Sequence, residues 1–155
     1  MKTLLRNPVF RWFLVLIWML VIFLVSHQPY SGRVTEAYLG DFNVLVRKIG
    51  HIAEFYLLFV LVYWAKSARI EKNSAETAGT AETVETTGTG IDTSIRKRFS
   101  KEIFAFCFSV LYAASDEWHQ SFVAGRSAAV TDVLFDATGV AAAWISVLLY
   151  KRFYR

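Results

Sequence analysis

Long apolar runs separated by short polar clusters divide this chain into four candidate helices. The first run, Val9 to Val25, is broken only by Arg11. A spanning helix needs about 20 residues, so the pattern predicts one over 8–26, with Arg11 expected to snorkel to the headgroups. The basic start looks like a signal peptide, but Val25-Ser26-His27-Gln28-Pro29 offers no small-x-small cleavage site, so a retained anchor is expected. Pro29, Ser31-Gly32 and Gly40 then predict a loop from His27 to about Asn43. A second helix is expected over 44–65, apolar in its second half and carrying Arg47, Lys48, His51 and Glu54 in its first. A third, over 100–120, is apolar through Ser115. A fourth, over 127–150, has Asp132 and Asp136 in its first half.

Residues 67–98 differ in character. The run from Ala75 to Gly90 is almost all Ala, Glu, Thr and Gly, with no apolar periodicity. Such a segment cannot bury enough surface to offset its ordering entropy, and a disordered linker is expected. Composition supports a membrane class: 55% of the chain is hydrophobic, and 13 Phe, 7 Tyr and 5 Trp supply rings suited to interfaces. The net charge of +4 does not point to nucleic acid, because the basic residues flank apolar runs and form no single patch.

Those basic residues set an orientation. Thirteen of the seventeen Lys and Arg lie in the N-terminal, linker and C-terminal segments, leaving Arg33, Arg47, Lys48 and Arg126 on the opposite side. The positive-inside rule then gives an all-α integral membrane protein with four transmembrane helices, both termini cytoplasmic, and a cytoplasmic linker. Cys107 is the one cysteine, which excludes an intramolecular disulfide and a cysteine metal site; in its apolar run it reads as a small hydrophobe.

The same topology brings the starts of helices two and four, the end of helix three and Ser26-His27-Gln28 to one depth, toward the extracytoplasmic side. Charged groups at membrane depth cost roughly 2.5–3.5 kcal/mol each, so a cluster of them points to function or a specific partner. At 100° per residue, Lys48, His51 and Phe55 share a face of helix two, and Asp116 and Gln120 share one with Ser109 and Tyr112 on helix three. On helix four, Asp132 and Asp136 line up with Gly139 and Ala143, a stripe that resembles a small-xxx-small packing face.

Several chemistries fit these residue types. Asp116, Glu117, His119 and His51 are the candidate catalytic groups. Lys48, Arg126, Gln120, Asp132 and Asp136 are the candidate substrate-binding groups, with Gly125 allowing close backbone approach beside Arg126. His51, His119, Asp116 and Glu117 are acceptable ligands for a divalent metal such as zinc or manganese, as are Glu54, Asp132 and Asp136. Metal-free acid–base chemistry between neighbouring carboxylates, and ion or proton coupling in a transporter subunit, use the same set. A non-catalytic scaffold, tied by salt bridges such as Lys48–Asp116 or Arg126–Asp132, is the bland alternative.

These motifs resemble the VanZ-like family of small membrane proteins. The matching pieces are Lys48-Ile49-Gly50-His51 with Glu54-Phe55-Tyr56, the run from Tyr112 to Phe122 through Asp116-Glu117-Trp118-His119-Gln120, Gly125-Arg126, and Asp132 to Asp136 with Gly139. Ser26-His27-Gln28-Pro29 resembles the end of the family's first helix, and Ala124 stands where many members have Pro. The resemblance covers nearly all of the chain outside 67–98. It implies an envelope protein of the cell membrane whose family is associated with lowered susceptibility to teicoplanin, a glycopeptide with a lipid tail. The implied partners are the bilayer and a lipid-linked wall precursor or anionic lipid, which the protein modifies or binds. A small metal-dependent hydrolase or transferase is the alternative activity.

Overall fold

The computed structural model describes residues 2–79, 90–126 and 129–153. Every regular element among them is helical: α1 (Lys2–Arg6), α2 (Pro8–Ser26), α3 (Ser31–Leu39), a 3-10 turn (Gly40–Phe42), α4 (Asn43–Gly79), α5 (Gly90–Gln120) and α6 (Val130–Phe153).

The start of α2 is fixed locally. Pro8 occupies its first turn, and the Asn7 side chain accepts the Val9 N–H at 2.9 Å. Its buried residues, Arg11, Val15, Ile22 and Ser26, fall on one stripe, while Phe13, Leu16, Leu20 and Leu24 face outward. Rings hold that stripe in place. The Trp18 Nε1–H donates to the Glu54 carbonyl at 3.0 Å, the Tyr112 hydroxyl donates to the Met19 carbonyl at 2.7 Å, and Trp12 sits edge-on to Phe104 and Phe108.

Helix α4 is central, packing against α2, α5 and α6. Phe55, Leu58, Phe59, Val62 and Ala65 follow helical spacing and are fully buried, with Ala105 and Ala113 of α5 and Val140 and Ala143 of α6 completing the core. The approach of α6 to α4 is closest at Gly139. A Cβ there would lie 2.2 Å from the Ile52 carbonyl oxygen, so the small-residue stripe meets backbone directly.

The exterior is more apolar than a water-facing surface tolerates, with Val9, Phe13, Leu16, Leu111, Leu134 and Phe153 each more than half exposed. Among the described residues, two helices, Pro8–Ser26 and Thr131–Phe153, are long and apolar enough to cross a membrane.

The structure corrects two expectations, the loop over 27–43 and the extent of the linker. The segment 27–43 is not a plain loop: α3 and the 3-10 turn fill it, with Thr35 Oγ donating to the Ser31 carbonyl at 2.8 Å and pairing with Asn43 at the head of α4. Arg11 is 6% exposed, donates to the Leu5 and Trp64 carbonyls at 2.7 and 2.9 Å, and stacks on Trp64. The helices also reach into the segment expected to be a disordered linker: α4 runs on to Gly79 and α5 starts at Gly90. The Ala, Arg, Glu and Lys content of 65–72 extends a helix already anchored by its buried half. Residues 80–89 of that expected linker lie outside the described residues. Cys107 is exposed on α5, among the apolar residues of its run. The expected start of helix four falls on 127–129, of which 127 and 128 lie outside the described residues; α6 begins at Val130.

Candidate functional site

Helices α2 and α5 finish, and α4 and α6 begin, at the same end of the bundle. Two polar assemblies occupy that end, one a cavity and the other a buried network beside it.

The cavity, of about 220 Å³, is lined by Val44, Arg47, Lys48 and His51 of α4, Glu117 and Gln120 of α5, and Asp132, Phe135 and Asp136 of α6. Positions 44, 47, 48 and 51 follow the i, i+3, i+4, i+7 spacing of one helical face, and 132, 135 and 136 repeat its start on α6. Lys48 Nζ sits 3.9 Å from the centre of the Phe135 ring, which holds its ammonium at the cavity wall. Asp136 is 1% exposed, and neither of its oxygens has a hydrogen-bond partner. Its Oδ1 lies 3.5 Å from His51 Nδ1, and Glu54 Oε2 lies 3.8 Å from the same nitrogen. The His51 imidazole thus stands between two carboxylates, without a hydrogen bond from Nδ1 to either. An unpartnered buried carboxylate is costly, by roughly 1–3 kcal/mol or more, so this wall favours a ligand that brings a donor.

The neighbouring network ties the helix ends together. Asp116, 4% exposed, accepts from the Ser26 hydroxyl and from the Gln120 amide, both at 2.7 Å. The Gln120 amide also reaches Ser26 Oγ at 3.2 Å, and its carbonyl takes Arg126 Nη1 at 2.6 Å. Arg126 Nη2 donates to the Val25 carbonyl at 3.3 Å. Burial, and then the like charge of Arg47, pull the Arg126 guanidinium below its ordinary value, with Asp116, Glu117 and Glu54 acting the other way. Glu117 accepts the Ala129 N–H at 2.7 Å and so fixes the connection into α6.

The turn carrying Arg126 is set by backbone chemistry. Gly125 adopts φ +77°, and a Cβ there would come within 2.4 Å of the Tyr30 ring. Tyr30 is itself left-handed, with φ 55°, and its N–H donates to the Ala124 carbonyl at 3.1 Å. The connection after α2 therefore docks on the connection after α5.

The sequence-derived candidates separate into these assemblies. Lys48, His51, Glu117, Gln120, Asp132 and Asp136 line the cavity. Asp116 and Arg126 belong to the network instead, and the anticipated pairs Lys48–Asp116 and Arg126–Asp132 are not among the ion pairs of the described residues. His119 lies apart. Its Nε2 is 3.1 Å from His27 Nδ1, and the two rings stack with Phe23. His51, His119, Asp116 and Glu117, proposed as metal ligands, therefore have four different sets of partners. Among the described residues no three His, Cys, Asp or Glu side chains gather to hold a metal ion. Sequence reasoning missed Arg47, Phe135 and Val44 as cavity residues. The signal for Arg47 is present, since it stands four residues before His51 on the same face.

The family model described as VanZ/LLP1 matches residues 10–151, a span that takes in the cavity, the network and the turn at Gly125. Searches of curated proteins and of solved structures find no match. With the match extending over all but the ends of the sequence, the chain belongs to the VanZ/LLP1 family of membrane proteins.

Proposed function

We propose that this protein is a four-span membrane protein whose polar cavity, facing the outer leaflet, binds the anionic headgroup of an envelope lipid or lipid-linked wall precursor. In this topology both termini are cytoplasmic. The distribution of Lys and Arg supports the orientation. The observation that carries the binding reading is the composition of the cavity, where Arg47 and Lys48 stand on the same wall as His51 and face Asp132, Asp136 and Glu117. Two cations recognise an anion. The buried carboxylates discriminate in favour of a ligand that also carries hydroxyl or amide donors, as a sugar- or peptide-bearing phosphate does.

Size narrows the ligand. Pockets for drug-sized molecules measure roughly 300–1,000 Å³, and this cavity holds about 220 Å³. It takes a headgroup, while the hydrophobic part of the ligand stays in the bilayer. Sequestering or altering such a lipid would lower susceptibility to an antibiotic that itself carries a lipid tail, in line with the resistance phenotype associated with the family.

The test is teicoplanin and vancomycin susceptibility in cells expressing wild-type protein or Lys48→Gln/Asp136→Asn at matched membrane levels. Teicoplanin-selective protection that is lost in the variant is the expected outcome. Protection retained in full by the variant would sink the reading.

One arrangement favours a second, catalytic reading. His51 between Glu54 and Asp136 is placed as a general base would be, oriented by acidic neighbours. A hydrolase or transferase acting on the bound headgroup predicts a change in the mass of the envelope lipid pool that disappears in His51→Ala. Binding alone leaves lipid masses unchanged. A scaffold role predicts a loss of folded yield in all of these variants.

A further inference from the structure

The end of the bundle away from the polar cavity carries a second charged assembly. Here α2 begins and α6 finishes, and Arg11, Lys66, Lys101 and Lys151 are each set against an aromatic ring. Arg11 lies 4.6 Å from the centre of Trp64 and Lys66 4.0 Å from that of Phe104, while Lys101 and Lys151 approach Tyr63 at 5.7 and 4.9 Å. Among the described side chains one carboxylate, that of Glu102, meets this set, and it is bound to Lys151. The collar is therefore net positive. Cations interleaved with aromatic rings are what headgroup depth selects.

A groove of about 460 Å³ leads from this collar between α4 and α6. Tyr56, Val60 and Tyr63 form one wall, Val147 and Tyr150 the other, and Lys151 marks one end. From Tyr56 to Tyr63 the helix advances about 10 Å at 1.5 Å per residue. The groove therefore spans about two turns of α4. Its rings and aliphatic carbons suit hydrocarbon.

We propose that this groove holds the acyl portion of a membrane phospholipid whose anionic headgroup rests on Lys101, beside the Lys151–Glu102 pair. Charge complementarity argues for an anionic over a zwitterionic headgroup. Lys101 flanks Tyr63 at the mouth, outside the Lys151–Glu102 pair, and Glu102, 1% exposed and already paired, offers no accessible carboxylate to a headgroup amine. The site is separate from the polar cavity in lining and in position, so neither proposal depends on the other.

Native mass spectrometry of the purified full-length chain, loaded from detergent with phosphatidylglycerol or phosphatidylcholine, tests this. Wild-type protein retains phosphatidylglycerol in preference. Lys101→Gln lowers that retention about fivefold, the effect of one cation near a headgroup, and leaves phosphatidylcholine unchanged. Ser146→Trp, a replacement at an exposed lining residue, obstructs the groove and removes retention of both lipids without disturbing the core. Equal retention of the two lipids by wild-type protein overturns the proposal, as does a phosphatidylglycerol preference that survives in either variant. A dimer lost in Ser146→Trp with lipid retention intact also overturns it, assigning the groove to a second copy.

Discussion

At the scale of single residues, the Gly125-Arg126 pair shows how a backbone requirement positions a charge. Arg126 reaches both Gln120 and the Val25 carbonyl because the preceding residue turns the chain with φ +77°. A left-handed residue with a Cβ costs about 1–2 kcal/mol, and here the Cβ would also meet the Tyr30 ring. Gly125→Ala is therefore expected to destabilise the protein by about 1–3 kcal/mol, read as a lower midpoint of thermal unfolding in detergent. Adding Tyr30→Ala should recover the steric part and leave the backbone part. Strict additivity of the two substitutions would mean that the ring is not in contact. The importance of Gly-Arg is visible in the sequence, but its partners are not. Sequence reasoning assigned Arg126 to an anionic ligand, whereas the folded turn directs it to Gln120, a contact set by φ at Gly125 and by where α2 ends.

At the scale of elements, helical periodicity carries far where a face is buried and fails where ends and connections decide. The bounds of α2 are legible because Pro8 opens it and the polar Ser-His-Gln-Pro run closes it. The faces of α4 and α6 are legible as well, which is why Lys48, His51, Asp132 and Asp136 arrive at one cavity. The helix at Ser31–Leu39 is not legible: its stability comes from tertiary docking, with Tyr30 bonded to Ala124 and Thr35 paired with Asn43. Nor does periodicity identify the partner of Glu102, one of the most buried charges in the chain. Its pairing with Lys151 joins the first half of α5 to the end of α6. Removing one member of a buried ion pair leaves the other uncompensated, at a cost of roughly 3–5 kcal/mol. Lys151→Met alone should show a loss of that order in unfolding measurements, and Glu102→Met/Lys151→Met should regain most of it. A double variant as unstable as the sum of the singles would argue that the two residues are not coupled.

At the scale of the whole molecule, the two ends of the bundle differ in a way that orientation in a membrane explains. One end mixes acids and bases around a cavity, with Asp132, Asp136 and Glu117 set against Arg47 and Lys48. The other is a collar of cations against rings with a single described carboxylate. An anionic cytoplasmic leaflet attracts such a collar by about 1 kcal/mol per cation, and the bias of Lys and Arg toward that end is what sets the orientation. The proposed topology therefore makes a direct prediction. In a Cys107→Ser background, Glu36→Cys, on the exposed face of α3, should react with a membrane-impermeant maleimide in intact cells. Arg152→Cys, exposed at the end of α6, should react only after permeabilisation. The reverse pattern would place the polar cavity on the cytoplasmic side, where it could not meet an outer-leaflet precursor, and would transfer the anionic-collar argument to the outer surface. Labelling of both sites from outside would require an even number of spans between them. Such a result would break the four-span arrangement, since α4, α5 and α6 separate residue 36 from residue 152 and three crossings must put them on opposite sides.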